Sequence, residues 1–407
     1  MVSTIASVQE RTDAVDAQNK LHPMESCTCA IPIGGTHAGV SFRGVVYGGS
    51  GYAQENLMIV MALAKAGVPV RIEPTLHQHD VENLLPQDTR TALEFTKLQS
   101  IDLSRGVYFQ SMPAHDFQTN LFARRLIGRT MFETDRIPDG WLEKCNAMDE
   151  VWVPSAFNFE TFLRAGVKEH KLRTMQEGED TNRFRPENPP FRIPGARGFN
   201  FLSIFQWTER KGPDVLLKAF ISEFKEDEDV ALILRCYGRS GPDSDLLPEL
   251  LYYIERELHV PLEKTPPVLL IPGFIPNDEL PRLYTSADCF VLPTRGEGWG
   301  RPYVEALCSE MPVIATRWSG QIDFLHDANS YLIDYKLAPT PLDLELFAGH
   351  QWAEPDVDHL RSLMRHVFTH RAEAREKACI GRKEIVEKFS YGVIMKRWIE
   401  EIERLLS

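Results

Sequence analysis

The sequence predicts an α/β protein made of two doubly wound domains, each built on a parallel sheet. Three observations predict this fold. The chain has 407 residues, which is too long for one ordinary core. A glycine-rich turn opens a strand–helix–strand pattern near residue 45, and an alternation of strand and helix patterns begins again near residue 199. Two such domains are expected to face each other across a cleft.

The first α/β pattern follows an N-terminal extension, residues 1–40, that has neither helical nor strand periodicity. The apolar run at 45–47 predicts a short buried strand. A helix is predicted next, because apolar residues recur at the spacing of one helix face, at Ala53, Leu57, Val60, Met61 and Ala64. Gly67 is predicted to end this helix, and residues 68–72 to form the next strand.

The second α/β pattern begins after a proline-rich connector at 186–194. Strands are predicted at 199–205, 230–237 and 267–271, and a helix at 214–224. The last residues, 380–407, have helical spacing with Trp398, Ile402 and Leu405 on one side. We therefore predict a Rossmann-like N-terminal domain at 41–190, a Rossmann-like C-terminal domain at 191–380, and helices at 381–407 that cross back onto the N-terminal domain.

Composition narrows the class of protein. The chain is 43% hydrophobic and 25% charged, as in globular proteins, and no apolar run approaches the roughly 20 residues of a membrane span. A formal net charge of −13 argues against nucleic acid as a partner. No basic segment followed by an apolar core begins the chain, so we expect a cytoplasmic protein, and no basic amphipathic stretch indicates membrane association.

Neither the cysteines nor the histidines predict a metal site. Only Cys27 and Cys29 of the seven cysteines lie close together, and no second pair completes a zinc site, so reduced thiols are expected. His77, His79 and Asp80 form a short polar cluster, for which an exposed loop after a strand is the simpler interpretation.

The segment 289–305 predicts an anion-binding site. It reads as an apolar strand, a glycine-rich loop, and a helix with Pro302 in its first turn. Backbone N–H groups at the start of a helix can hold a diphosphate. The residues that would supply them are Gly298, Trp299, Gly300 and Arg301, and the available cations are Arg301, Arg210 and Lys211.

Two carboxylates accompany this predicted anion site. Glu297 lies in the loop and Glu305 about a turn inside the helix, so they are expected to have separate roles. A carboxylate beside a diphosphate is better placed to accept hydrogen bonds from hydroxyl groups. We therefore assign Glu297 to the sugar and Glu305 to the ribose of a nucleotide sugar. The alternative is that both are solvated glutamates at a helix end.

These residues resemble the signature of the retaining GT-B glycosyltransferases. That group includes glycogen synthases and many bacterial mannosyl- and glucosyltransferases of the family 4 type. The E-x7-E spacing of Glu297 and Glu305 carries the resemblance, together with Glu-Arg-Lys-Gly at 209–212. Further similar segments, in chain order, are 49–52, 151–155, 273–276, 283–288, 311–316 and 319–320. The resemblance covers roughly residues 42–400.

The resemblance implies a GT-B fold that transfers a hexose, with retention of configuration and without a metal or cofactor. A UDP-, GDP- or ADP-sugar would be held by the C-terminal domain, and an acceptor saccharide, lipid-linked saccharide or small metabolite by the N-terminal domain. The implied catalytic residues are Glu297, Lys211, Arg210 and Glu133. Further donor contacts are implied at Gly49, Ser50, Gly51, Gln206, Phe274 and Ile275.

The chain departs from the family pattern at two positions. Gln206 stands where the family often has an arginine, so Arg210 is predicted to substitute for it. Glu133 stands where many relatives have a histidine near the reacting sugar. Glu133 could instead be a structural partner of Arg136 or of a backbone amide, and His115 is a rival for the position.

Three other functions stay open at this point. Gly49 and Gly51 after a strand, with Glu73 further on, imitate a dinucleotide site of an NAD-dependent oxidoreductase, although Gln54 occupies the third glycine position. A sugar-nucleotide epimerase of the same fold would use the same donor site without an acceptor. A catalytically silent binding protein is the third.

Overall fold

The computed structural model describes residues 2–4, 36–47, 50–75, 87–238, 245–272, 275, 279–341 and 344–407. The chain divides into two compact units. The N-terminal unit contains the described residues from 36 to 178 together with 389–407, and the C-terminal unit contains those from 179 to 388 together with 2–4. Several residues singled out above lie outside the described ranges, namely Cys27, Cys29, Gly49, His77, His79, Asp80 and Phe274.

The strands and helices of the described residues alternate along both units. The strands are β1 (Val2–Thr4), β2 (Thr36–His37), β3 (Val40–Gly44), β4 (Val70–Pro74), β5 (Ser100–Ile101), β6 (Val107–Ser111), β7 (Arg125–Arg129), β8 (Glu150–Val153), β9 (Leu172–Thr174), β10 (Phe199–Gln206), β11 (Val230–Tyr237), β12 (Val268–Ile271), β13 (Cys289–Leu292), β14 (Val313–Thr316), β15 (Tyr331–Ile333), β16 (Tyr335–Pro339) and β17 (Gln351–Pro355). The helices are α1 (Gly51–Lys65), α2 (Gln87–Lys97), α3 (Trp141–Asn146), α4 (Ala156–Arg164), α5 (Pro213–Glu223), α6 (Leu247–Tyr252), α7 (Leu280–Tyr284), α8 (Arg301–Cys308), α9 (Val357–Thr369), α10 (Arg371–Lys388) and α11 (Tyr391–Leu406).

The N-terminal unit is built on a parallel sheet in the order β4-β3-β6-β7-β8-β9. The predicted first helix is confirmed as α1. Ser50 caps it, because its Oγ accepts a hydrogen bond of 3.2 Å from the N–H of Ala53. Beyond the helix end, Gly67 adopts a φ of +78°, which glycine tolerates better than other residues.

The strand predicted at 45–47 is wrong. The strand is β3, which ends at Gly44 after pairing with β4 and β6. The carbonyl of Val45 instead accepts a hydrogen bond of 2.9 Å from the side-chain amide of Asn56 on α1. Apolar content could not place the strand, because residues on both sides of its end are buried.

The C-terminal unit contains a parallel sheet in the order β1-β12-β11-β10-β13-β14-β15. The predicted strands at 199–205, 230–237 and 267–271 are confirmed as β10, β11 and β12, and the predicted helix at 214–224 as α5. Residues 2–4, in the predicted extension, form an edge strand that pairs with β12. The chain order reverses between β10 and β13, where Phe201 pairs with Cys289. In doubly wound folds such a switch point is where ligands bind, at the carboxyl ends of the strands.

The predicted terminal helices are confirmed as α10 and α11. Trp398, Ile402 and Leu405 are buried on one side of α11, and Trp398 Nε1 donates a hydrogen bond of 3.2 Å to the carbonyl of Gln176 within the N-terminal unit. Residues 381–388 continue α10, which belongs to the C-terminal unit. Within the described ranges, no helix combines the length and the apolar content needed to cross a membrane.

Candidate functional site

Two loops of the C-terminal unit meet beside the switch point. The loop after β10 forms a short turn at Glu209–Lys211 and passes through Gly212, with a φ of +68°, into α5. The loop after β13 ends at Gly300, with a φ of +102°, and α8 begins at the next residue with Pro302 in its first turn, as predicted. The N–H of Arg295 donates a hydrogen bond of 2.6 Å to the carbonyl of Arg210, which joins the loops.

Glu297, Lys211 and Arg210 form a largely buried ionic cluster between these loops. Lys211 Nζ lies 2.5 Å from Glu297 Oε1, and Arg210 Nη1 lies 3.5 Å from Glu297 Oε2. Glu297 is only 6% exposed. Burial acts to raise the pKa of its carboxyl group, but the charges of Lys211 and Arg210 outweigh burial and hold the pKa below its ordinary value. Two cations therefore share one carboxylate in this cluster.

The backbone around Glu297 is held by neighbouring residues. Its N–H donates a hydrogen bond of 2.9 Å to Ser319 Oγ, and its carbonyl accepts one of 3.0 Å from the N–H of Gly320. A Cβ atom at Gly320 would lie 2.0 Å from the carbonyl oxygen of Gly298, so only glycine permits this approach. Arg295 adds a further anchor through its ion pairs with Asp214 and Glu354, both at 2.7 Å.

Glu305 lies in a second buried cluster of the same unit. It is 4% exposed, and its Oε2 accepts a hydrogen bond of 2.6 Å from the hydroxyl of Tyr284. Arg301 forms an ion pair of 2.6 Å with Glu179 close by. Burial first, and the Glu179 carboxylate second, raise the pKa of Glu305 above its ordinary value. The two glutamates of the E-x7-E segment therefore occupy different electrostatic surroundings, and both are buried.

The structure places the other predicted donor residues of this unit around the same edge. Gln206 is the last residue of β10, and Ile275 is buried. The indole of Trp299 packs on Phe324, with ring centroids 4.9 Å apart, so Gly298, Trp299 and Gly300 would contact a ligand through their backbone. Because the Arg301 guanidinium lies on Glu179, its predicted diphosphate contact would also come from its backbone N–H.

The residues predicted in the N-terminal unit have other surroundings in the part of the chain that the structure describes. Ser50 and Gly51 start α1, where Ser50 acts as its cap. Glu133 is half-buried, and Arg136 pairs with Asp135 at 3.7 Å. His115 is exposed and lies 3.4 Å from Asp116. Whether Glu133 or His115 contacts a sugar stays a prediction.

Sequence reasoning did not assign a role to Glu179, Tyr284 or Arg295. Tyr284 lies in one of the segments that carry the resemblance, and Glu179 belongs to the acidic run Glu-Gly-Glu-Asp at 177–180. Both features point to these residues, but neither shows which side chain each residue bonds in the folded protein. In the part of the chain that the structure describes, no group of three or more His, Cys, Asp and Glu side chains is arranged to hold a metal ion.

Gly212 provides a test of how tightly the two loops approach. We expect Gly140→Ala to cost about 1–2 kcal/mol, because alanine is strained at the φ of +79° found there and meets nothing within 4 Å. Gly212→Ala has the same kind of strain, but its Cβ would lie 2.2 Å from the carbonyl oxygen of Pro293. It should therefore cost about 1–3 kcal/mol more. Urea unfolding of both variants measures this difference, and equal losses would contradict the close approach.

Comparison with known proteins shows that the segment with these two loops is similar to a known family. Residues 197–340, which include both loops and both glutamates, match the family model of the glycosyl transferases group 1. We refer to residues 197–340, which match this family model, as the group 1 domain. The resemblance predicted from Glu297, Glu305 and the segment at 209–212 is confirmed.

The curated relatives of the group 1 domain match over part of their length. The chain is 29% identical to the mannosylfructose-phosphate synthase of Agrobacterium fabrum over 160 residues, which are 38% of this chain and 34% of that protein. It is 27% identical over 200 residues to a GDP-mannose-dependent alpha-(1-6)-phosphatidylinositol monomannoside mannosyltransferase of Mycobacterium tuberculosis, covering 46% of this chain and 49% of that protein. The chain thus spans about half or less of the length of these two relatives.

Structural comparison extends beyond the group 1 domain. Anabaena Alr3699/HepE, solved in complex with UDP and glucose, superposes with a TM-score of 0.63 over 90% of this chain and 100% of that one, at 15% sequence identity. At this identity the likeness concerns the fold. The prediction of a GT-B protein with two Rossmann-like α/β domains is confirmed.

Proposed function

We propose that this protein is a retaining glycosyltransferase that transfers a hexose from a nucleotide-diphosphate sugar to an acceptor hydroxyl. The observation that carries the proposal is the largely buried cluster of Glu297, Lys211 and Arg210 at the carboxyl edge of the sheet in the group 1 domain. The acceptor would be a saccharide, a lipid-linked saccharide or a small metabolite. The names of the two curated relatives, a synthase of a sugar phosphate and a GDP-mannose-dependent mannosyltransferase, support the reaction class.

The charge of this cluster suits a diphosphate. Two cations share one carboxylate beside the start of α8, and the start of a helix favours a bound anion. A dianionic group bound there would compete with Glu297 for Lys211 and Arg210. Glu297 would then be released from part of its ion pairing and could accept hydrogen bonds from hydroxyl groups of the sugar.

In the proposed reaction, the acceptor oxygen attacks the anomeric carbon on the face from which the diphosphate leaves. The bond from that carbon to the phosphate oxygen breaks, and the departing phosphate oxygen takes the proton of the acceptor hydroxyl. The products are a glycoside of unchanged anomeric configuration and a nucleoside diphosphate. Lys211 and Arg210 would stabilise the negative charge that grows on the departing phosphate.

A thermal-shift panel of UDP-, GDP- and ADP-sugars tests donor binding. A ligand at about a hundred times its Kd should add about 2.7 kcal/mol of stability, or about 5–10 °C for a unit of this size. The stabilising donor is then assayed against a mixed set of acceptors, and the anomeric configuration of the product is read by NMR. NAD should give no shift, and a shift with NAD alone would favour the oxidoreductase alternative.

Product analysis separates transfer from epimerisation. A transferase releases one nucleoside diphosphate for each glycoside formed, whereas an epimerase returns an intact nucleotide sugar with one inverted centre. Binding of a donor without either product would favour the silent binding protein.

The proposal includes a reaction without a required metal. We expect EDTA treatment, followed by assay in metal-free buffer, to leave kcat/KM unchanged within about twofold. Addition of Mg²⁺ or Mn²⁺ to the treated protein is the control. Loss of activity with EDTA, restored by a divalent ion, would refute this part of the proposal.

Residence in the cytoplasm is also part of the proposal. Within the described ranges, five cysteines are free thiols, and four of them are buried: Cys145, Cys236, Cys289 and Cys308. Reduced cysteines are usual in the cytosol. Fractionation of the native cells tests this location.

A further inference from the structure

Glu179 and Arg301 form a buried ion pair inside the C-terminal unit. Glu179 is 1% exposed and Arg301 is 7% exposed, and Arg301 Nη2 donates a hydrogen bond of 2.6 Å to Glu179 Oε2. The two residues are 122 positions apart in the chain. Removing two charges from water is costly, and leaving one of them without its partner costs more. The pair is therefore a strong constraint on where the Arg301 guanidinium lies.

Arg301 has a second carboxylate within its neighbourhood. Glu305 follows it by four positions on α8, and side chains at this spacing lie on the same face of a helix. Glutamate and arginine at this spacing commonly form an ion pair. Nevertheless Nη2 of Arg301 bonds Glu179, and Oε2 of Glu305 accepts a hydrogen bond from Tyr284.

The electrostatic surroundings of Glu305 agree with the pairing of Arg301 with Glu179 instead of Glu305. Burial and the Glu179 carboxylate raise its pKa, and together they outweigh the lowering influence of Arg301. Among the described residues, the titratable or charged groups that act on Glu305 come from several elements: Glu179, Arg183, Arg235, Tyr284, Arg301 and Cys308. The Glu305 carboxyl group is thus buried without being neutralised by its neighbour on the same helix.

We propose that Glu179 is a positioning residue of the donor site, which holds the Arg301 guanidinium so that the Glu305 carboxyl group stays available to hydroxyl groups of the donor. The inference rests on the proposed function, because it presumes that Glu305 accepts hydrogen bonds from the ribose. Glu179 itself does not contact the donor in this account. It acts through Arg301.

Loss of the Glu179 charge has a defined consequence. In Glu179→Gln, the buried Arg301 guanidinium loses the carboxylate that it bonds in the wild type, and Glu305 is a carboxylate on the same face of α8. A new pair between Arg301 and Glu305 would occupy the oxygens that the ribose needs. It would also lower the pKa of Glu305, because an opposite charge beside a carboxylate favours its ionised form.

The experiment is titration calorimetry with the nucleotide sugar selected by the thermal-shift panel. We expect Glu179→Gln to raise the Kd by about tenfold or more, the size of one or two lost hydrogen bonds to a charged group. Glu179→Asp keeps the charge and should retain most of the affinity. Glu187→Gln, an exposed glutamate of the same unit, is the matched control and should bind as the wild type does.

A double variant separates positioning from a general structural role. Combining Glu179→Gln with Arg301→Gln removes the guanidinium that would capture Glu305, so the double variant should bind the donor at least about threefold more tightly than Glu179→Gln alone. If Glu179 served only to stabilise the fold, the double variant would bind as weakly as Glu179→Gln or more weakly. That result would overturn the inference.

The pH dependence of binding gives a second readout. In the wild type, the Kd should fall as the pH rises through the raised pKa of Glu305, because the ionised carboxylate is the better acceptor. In Glu179→Gln this transition should move to lower pH. An unchanged pH profile and an unchanged Kd in Glu179→Gln would refute the inference while leaving the proposed function intact. Absence of donor binding by the wild type would instead refute the proposed function.

Discussion

Lys211→Ala is expected to lower kcat/KM by about ten- to a hundredfold. The Lys211 ammonium lies 2.5 Å from Glu297 in a largely buried cluster, and one charge-assisted hydrogen bond is worth about 1.5–3 kcal/mol. The proposed function places the same ammonium on the departing diphosphate, so the loss should appear mainly in kcat. Steady-state kinetics with the donor selected by the thermal-shift panel measures the effect.

The matched control for this prediction is Lys218→Ala. Lys218 is exposed on α5, which begins two residues after Lys211, so its loss should leave the kinetics unchanged. The melting temperature of each variant shows whether the fold is intact. A Lys211→Ala protein that is folded and retains wild-type kcat/KM would remove Lys211 from the candidate site.

Arg129→Met is expected to destabilise the N-terminal unit by about 3–5 kcal/mol. Arg129 is fully buried at the end of β7, where it forms an ion pair with Glu55 of α1 and lies 3.5 Å from Glu177. Without the guanidinium, two carboxylates would remain buried beside each other. Urea unfolding, followed by hydrogen–deuterium exchange of peptides from β7 and α1, measures the loss within this unit.

Two further variants make the Arg129 prediction decisive. Arg164→Met changes an exposed arginine of α4 in the same unit and should cost less than about 0.5 kcal/mol. Adding Glu55→Gln and Glu177→Gln to Arg129→Met removes the charges of the two buried carboxylates and should recover part of the lost stability. A cost below about 1 kcal/mol for Arg129→Met would show that the ion pairs contribute little.

Elements with a strong local pattern were predictable. Strand β11 matches its predicted bounds, and α1 matches because its apolar spacing and Gly67 act within a few residues. The prediction of a strand at 45–47 was wrong because the end of this strand depends on residues that are distant in the chain. The end of β3 is decided by pairing with β4 and β6 and by the hydrogen bond from Asn56 to Val45, neither of which is visible in a short window.

In the candidate site, too, some features depend on nearby residues and others on residues that are distant in the chain. The loop that carries Glu297 and the helix that carries Glu305 follow from a strand, a glycine-rich loop and a helix start that are contiguous in the chain. The meeting of this loop with the loop of Lys211 follows from the order of β10 and β13 in the sheet. The sequence could not say that Lys211 would bond Glu297, because that contact joins two separate loops.

The sequence by itself determined the α/β class, the positions of the glycine-rich loops and the residue types available for a donor, because these depend on neighbours a few positions apart. Only the tertiary structure decided which carboxylate each buried arginine binds. Arg301 has Glu305 four positions away on its own helix, yet its guanidinium bonds Glu179, 122 positions earlier. The choice is tertiary because the free energy of a buried charge depends on every group packed around it, and chain folding assembles those groups from distant segments.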